Sequence, residues 1–89
     1  MIEVVWSDSF KRKYKKLITN NLQLKDKFAE RIIEFSHYPF SQSLKTHKLS
    51  GELKEYWSFS IDYHIRVIFR FINDSKVILL TIGSHNEVY

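Results

Sequence analysis

The stretch Trp57-Ser58-Phe59-Ser60-Ile61-Asp62-Tyr63-His64-Ile65-Arg66-Val67-Ile68-Phe69-Arg70-Phe71 decides the fold, because its character changes at every second residue. Trp57, Phe59, Ile61 and Tyr63 alternate with Ser58, Ser60, Asp62 and His64, the period of a strand with one buried face. In the strand that follows, Ile65, Val67, Phe69 and Phe71 share one face, which leaves Arg66, Ile68 and Arg70 on the other. Asn73-Asp74-Ser75 is turn chemistry, and Lys76 to Ile82 reads as a last strand ending at Gly83. The second half is therefore expected to be a three-stranded antiparallel meander.

Working outward, Ile2 to Trp6 is mostly β-branched and aromatic and reads as a first strand. Ser7-Asp8-Ser9 then supplies capping oxygens, with Ser7 as the expected N-cap of a helix. Phe10, Tyr14, Leu17 and Ile18 fall three and four apart, and Lys11, Arg12, Lys13, Lys15 and Lys16 fill the other faces of this basic amphipathic helix. Thr19-Asn20-Asn21 interrupts it. Leu24, Phe28, Ile32 and Phe35 make a second apolar stripe, which Ser36-His37-Tyr38-Pro39 stops, so the two helices are expected to form a hairpin with His37 capping the second. Phe40 to Gly51 has no clear period and reads as a loop carrying His47. The predicted class is α+β: an N-terminal strand, a two-helix hairpin, then the meander completing one twisted sheet. Residues 1–89 are expected to form a single domain, since no repeat, low-complexity segment or linker divides them.

Composition narrows what such a domain can do. With 44% hydrophobic and 16% aromatic residues the chain can build a core, and its 14 Lys and Arg against 10 Asp and Glu suit a polyanionic partner. The absence of cysteine excludes disulfides, thiolate catalysis and cysteine zinc sites. The four histidines, His37, His47, His64 and His85, lack short-range ligand spacing, so neither a metal nor another cofactor is expected. The longest apolar run, Val77 to Leu80, is far too short to span a bilayer, and Met1-Ile2-Glu3 does not open a signal peptide. A cytoplasmic protein without a membrane partner is the expectation.

Helices covering one sheet face leave Ser58, Ser60, Asp62, Arg66 and Arg70 on the open one. An arginine there is ordinarily solvated or paired across strands with a carboxylate such as Asp62, and a tail holding one His and one Tyr is ordinarily frayed. The chain, however, also carries an ordered set: Leu49-Ser50-Gly51, Tyr56-Trp57-Ser58, His64-Ile65-Arg66-Val67-Ile68-Phe69, and Ile82-Gly83-Ser84-His85-Asn86-Glu87-Val88-Tyr89. In that order, and over essentially the whole chain, it resembles the RelE/ParE toxin superfamily. The stretch from Leu44 to Gly51 is similar to the loop preceding the sheet in the YafQ and YoeB branches.

The resemblance implies the toxin of a toxin-antitoxin pair, an endoribonuclease that cuts mRNA, commonly in the ribosomal A site, through attack of the RNA's own 2′-hydroxyl on the adjacent phosphate. That chemistry needs a base, an acid and a cation for the charge growing on the phosphoryl oxygens, and no metal. Arg66 matches the superfamily's strand arginine; its guanidinium forks onto two phosphate oxygens and stays charged. His85 matches a tail histidine of the YafQ branch, and an imidazole can give or take a proton near neutral pH. Tyr89 matches a terminal aromatic that stacks on a base or joins proton transfer, and stacking suits a phenol better. His47 matches a loop histidine and would complete an acid-base pair with His85; His64 is a secondary candidate. Two departures stand out. Relatives carry extra cations on the strand before the arginine strand, where this chain has Trp57, Ser58, Phe59 and Ser60, and the YoeB glutamate position falls at Gln42 and Ser43. Lys45, Lys48, Lys54 and Arg70 are the candidates to compensate as RNA-binding cations. The implied partners are a cognate antitoxin, mRNA and the ribosome, and operator DNA only as a toxin-antitoxin complex. Two other readings share these residues: a ParE-like inhibitor of DNA gyrase without nuclease activity, and a binding module whose lysine-rich helix tracks phosphates.

Overall fold

The computed structural model describes residues 1–53 and 55–89. Ser7 turns the chain from β1 (Glu3–Trp6) into α1 (Asp8–Asn20), its hydroxyl accepting the Phe10 N–H at 3.0 Å as the N-cap pattern required. A single extended residue, Asn21, separates α1 from α2 (Leu22–His37), and the backbone N–H of Tyr38 closes the last turn on the carbonyl of Glu34. His37 Nδ1 also reaches the Ile33 carbonyl at 3.0 Å. The remaining elements are β2 (His47–Lys48), β3 (Trp57–Ser60), β4 (Ile65–Asn73), β5 (Lys76–Ser84) and α3 (His85–Val88), with single 3₁₀ turns at Gln42–Leu44 and Gly51–Leu53.

The strands form one mixed sheet in the order β1-β5-β4-β3-β2. β1 runs parallel to β5, with Glu3 opposite Lys76 and Trp6 opposite Leu79, whereas the other neighbours are antiparallel. Phe10, Leu24, Phe28 and Phe35 from the helices meet Phe59, Val67, Phe69, Val77, Leu79 and Ile82 from the sheet, so one sheet face is covered. Phe35 stacks on Phe59 at 4.3 Å between ring centres, and Trp6 stands edge-on to Phe10 and Tyr14 at 5.0 Å. Each such side chain contributes roughly 1.5–3 kcal/mol when fully buried, so this aromatic seam carries much of the stability.

Val77, Leu79 and Ile82 all face the core, although the last two are three residues apart. A β-bulge reconciles this: Phe69 pairs with Leu79 and Ile68 with Thr81, leaving Leu80 as the extra residue. Without it, Ile82 and everything beyond would face the wrong side.

Three expectations change. The alternation from Trp57 to Tyr63 is not strand throughout: β3 ends at Ser60, and Asp62 Oδ1 accepts the backbone N–H groups of His64 and Ile65, each at 2.8 Å, to make a turn. Tyr63 is accordingly 92% exposed instead of inward-facing. The loop from Phe40 to Gly51 contains β2, a fifth strand too short to show a period. The C-terminal tail is helical.

Candidate functional site

Register determines which side chains share the sheet face turned away from the aromatic core, and this face is not open as expected, since Ser58, Ser60 and Ile68 on it are buried. Across the sheet, Ser60 on β3 stands opposite Arg66 on β4, which stands opposite Gly83 on β5. One step along, His47, Ser58, Ile68 and Thr81 form the adjacent row across four strands. Directly opposed residues have Cβ atoms about 4.5–5.5 Å apart, so Arg66, Ser60, Ser58 and His47 belong to one local surface.

The tail completes it. α3 follows β5 directly, packs against β5 and β4, and sends the Tyr89 hydroxyl across to donate to Ser58 Oγ at 2.5 Å on β3. His85 stands edge-on to the Tyr89 ring at 4.5 Å. Gly83 permits this proximity, because a Cβ there would lie 3.2 Å from Glu87 Cβ and 3.3 Å from Val88. The Glu87 carboxylate accepts the Ser84 N–H at 3.0 Å, pinning the first turn of α3. This bond to Ser84, with Lys13 and Lys16 on α1 adding attraction, holds the Glu87 carboxyl below the usual carboxylate range.

Arg66 has no carboxylate within salt-bridge distance among the described residues, whose ion pairs are Arg31–Glu34 and Lys76–Glu3. The ordinary pairing with Asp62 does not form; Asp62 Oδ1 instead accepts two backbone N–H groups in its own turn. Two buried side-chain atoms on this face, Arg66 Nη1 and Thr81 Oγ1, lack a hydrogen-bond partner among the described residues. Buried donors are nearly always satisfied, and leaving one unpaired costs about 1–3 kcal/mol, more when it is charged. Arg66 Nη1 is thus a donor that no group among the described residues satisfies.

The other residues singled out by sequence are placed as follows. His47 is exposed on the Arg66 face, and its Nδ1 contacts the Lys45 carbonyl at 2.9 Å. A carbonyl only accepts, so Nδ1 is the donor in this contact. His64 lies in the β3–β4 turn, one residue before β4 begins, with its ring edge-on to Tyr63 at 4.9 Å. Lys45 occupies the left-handed region, at φ 51° and ψ 39°. Lys48 pairs with Trp57, whose neighbours belong to the covered face, so it points away from His47. Arg70 shares the Arg66 face but lies four residues further along β4, about 13 Å away at the usual rise per strand residue. Lys54 lies outside the described residues.

Sequence reasoning passed over Glu87, Gly83 and Ser58. Ser84-x-x-Glu87 is a capping-box spacing and was a usable signal. No local signal exists for Ser58, whose link to Tyr89 spans 31 residues. Among the described residues no three His, Asp or Glu side chains gather as a metal site would require, and no helix is long and apolar enough to cross a membrane.

No curated protein sequence matches the chain. Solved structures do: a toxin from Helicobacter pylori, solved as a copper-bound mutant, has 24% identity, complete coverage of both chains and a TM-score of 0.82. The E. coli DinJ-YafQ toxin-antitoxin complex matches at 17% identity, covering 99% of this chain and 97% of that one, with a TM-score of 0.79. The YoeB-YefM complex from Staphylococcus aureus matches at 20%, covering 96% and 98%, with a TM-score of 0.74. At these identities the likeness establishes the fold. Residues 2–89 also match the family model for YafQ, described as the bacterial toxin of a type II toxin-antitoxin system. The chain therefore belongs to the YafQ family of type II toxin-antitoxin toxins.

Proposed function

We propose that this toxin is a metal-independent endoribonuclease that cuts mRNA on the ribosome, in the cytoplasm. The ribose 2′-oxygen loses its proton to a base, bonds to the adjacent phosphorus and expels the 5′-oxygen, which takes a proton from an acid. The products are a 2′,3′-cyclic phosphate and a 5′-hydroxyl. In this reading Arg66 meets the charge on the phosphoryl oxygens, His85 and His47 exchange the protons, and Tyr89 stacks on a base. His64, in the turn, is a peripheral contact. The observation that carries the reading is the unpaired, partly buried guanidinium of Arg66, on the strand next to the Gly83-Ser84 pair that leads into α3.

The antitoxin complexes of its structural neighbours support a cognate antitoxin for this chain too, and operator DNA would be bound only by the pair. The test is to map transcript ends after brief induction of wild type, Arg66→Ala and His85→Ala. Wild type should produce discrete internal cuts, and each variant should lose about 100-fold or more of the cleavage rate while remaining folded. Intact transcripts together with blocked DNA supercoiling would replace this reading with gyrase inhibition.

A further inference from the structure

Beside Arg66, away from α3, lies a cavity of about 410 Å³ between α2, the 3₁₀ turn at Gln42–Leu44 and the β3–β4 turn. Four cations line it, Lys27, Arg31, Lys45 and Arg66, against one carboxylate, Asp62. Arg31 is already bound to Glu34 and the Ile61 carbonyl, which leaves Lys27, Lys45 and Arg66 without an ion pair among the described residues. The Asp62 oxygen that holds the turn is occupied by two backbone N–H groups. Lys45 occupies the left-handed backbone region, where glycine or asparagine would be less strained, so a lysine there costs stability that the fold alone does not require. At the rim Tyr63 presents a ring that is 92% exposed.

The geometry points to a second nucleotide subsite: a backbone phosphate of the bound RNA sits among Lys27, Lys45 and Arg66, and its base stacks on Tyr63. The assignment rests on the nuclease reading only for the identity of the strand. Arg66 borders both this cavity and the surface beneath α3, so one strand would run continuously from the reacting linkage into the cavity. An exposed ring beside clustered cations matches the stacking-plus-phosphate pattern of single-strand binding, whereas an acidic peptide would meet the cations with no base to stack on Tyr63.

The test measures affinity of the whole protein for a 2′-O-methyl RNA oligonucleotide, which cannot react, across a salt series. Lys45→Gly relieves the backbone and should leave Tm equal or higher. Together with Lys27→Gln it should weaken binding about ten-fold or more and reduce the logarithmic salt slope by up to roughly 0.7, the share of the one phosphate the two lysines hold. Tyr63→Ala should weaken binding about five- to ten-fold with the slope unchanged. Unchanged affinity and slope in the double variant, or no binding by wild type, overturns the subsite. Loss of poly-glutamate binding with RNA affinity intact also overturns it, making the cavity a protein contact. Wild type that binds the oligonucleotide as described but never cuts natural RNA sinks the nuclease reading and leaves the subsite standing. Cutting that persists with the double variant binding normally does the reverse.

Discussion

Tyr89→Phe isolates the contact that holds the tail over the sheet. The substitution keeps the ring against His85 and removes only the hydroxyl that donates to Ser58 Oγ. Ser58 is 0% exposed, so its oxygen is left without that partner in a place water does not reach. Losing a hydrogen bond and leaving a buried hydroxyl unpaired together cost about 1–2 kcal/mol. Ser58→Ala acts differently. Tyr89 is 40% exposed, so its hydroxyl can turn to water, and the cost should stay below about 1 kcal/mol. In the double variant neither polar group remains, and its tail should be held better than in Tyr89→Phe alone, a coupling of about 1 kcal/mol. The assay is amide hydrogen exchange at Tyr89, whose N–H donates to the His85 carbonyl at 3.1 Å. Tyr89→Phe should exchange roughly 5- to 30-fold faster than wild type, and adding Ser58→Ala should slow it again. Exchange unaltered by Tyr89→Phe, or unrescued by Ser58→Ala, refutes the argument that this bond anchors α3.

Other outcomes follow from neighbouring contacts. Gly83→Ala should displace α3 by a few tenths of an ångström through Glu87 and Val88, lowering cleavage several-fold while Tm changes little; equal cleavage would show that tail placement is not critical. Hydrogen bonds from Ser41 and Ser43, with Arg31 adding attraction, hold the Glu34 carboxyl below the usual range. Its contribution is thus complete above the unfolded value of about 4.3 and disappears as pH falls through the folded one. Glu34→Gln should flatten the acid limb of a stability-against-pH curve, and an unchanged limb would place the acid sensitivity elsewhere. Ser7→Ala removes the α1 cap and should cost about 1 kcal/mol, lowering Tm by roughly 5 °C in a thermal melt.

What could be read from sequence was set by local periodicity. The alternation through Arg66 to Phe71, the stripes from Phe10 and Leu24, and the Ser7 cap each depend on neighbours within a few residues, and all are realised. Tyr63 misled because alternation continues through a turn whose reason is Asp62 accepting two backbone N–H groups. β2, of two residues, is too short for any period, and its presence on the Arg66 face comes from pairing with Ser58. The candidate site was legible in its residue types, Arg66, His85, Tyr89 and His47. It was not legible in what joins them: the Leu80 bulge, the Tyr89–Ser58 bond and the tight approach at Gly83 are long-range outcomes of packing.

The parallel pairing of Glu3 with Lys76 carries a consequence for how the molecule comes into being. The first strand made finds its neighbour only after most of the chain has emerged from the ribosome, and contacts this distant in sequence close slowly. Until β5 is synthesised, β1 has no strand to pair with, and Arg66 has a strand neighbour on the Ser60 side alone. The sheet is therefore closed late, when the carboxy-terminal strand docks between β1 and β4 and joins the two ends of the chain.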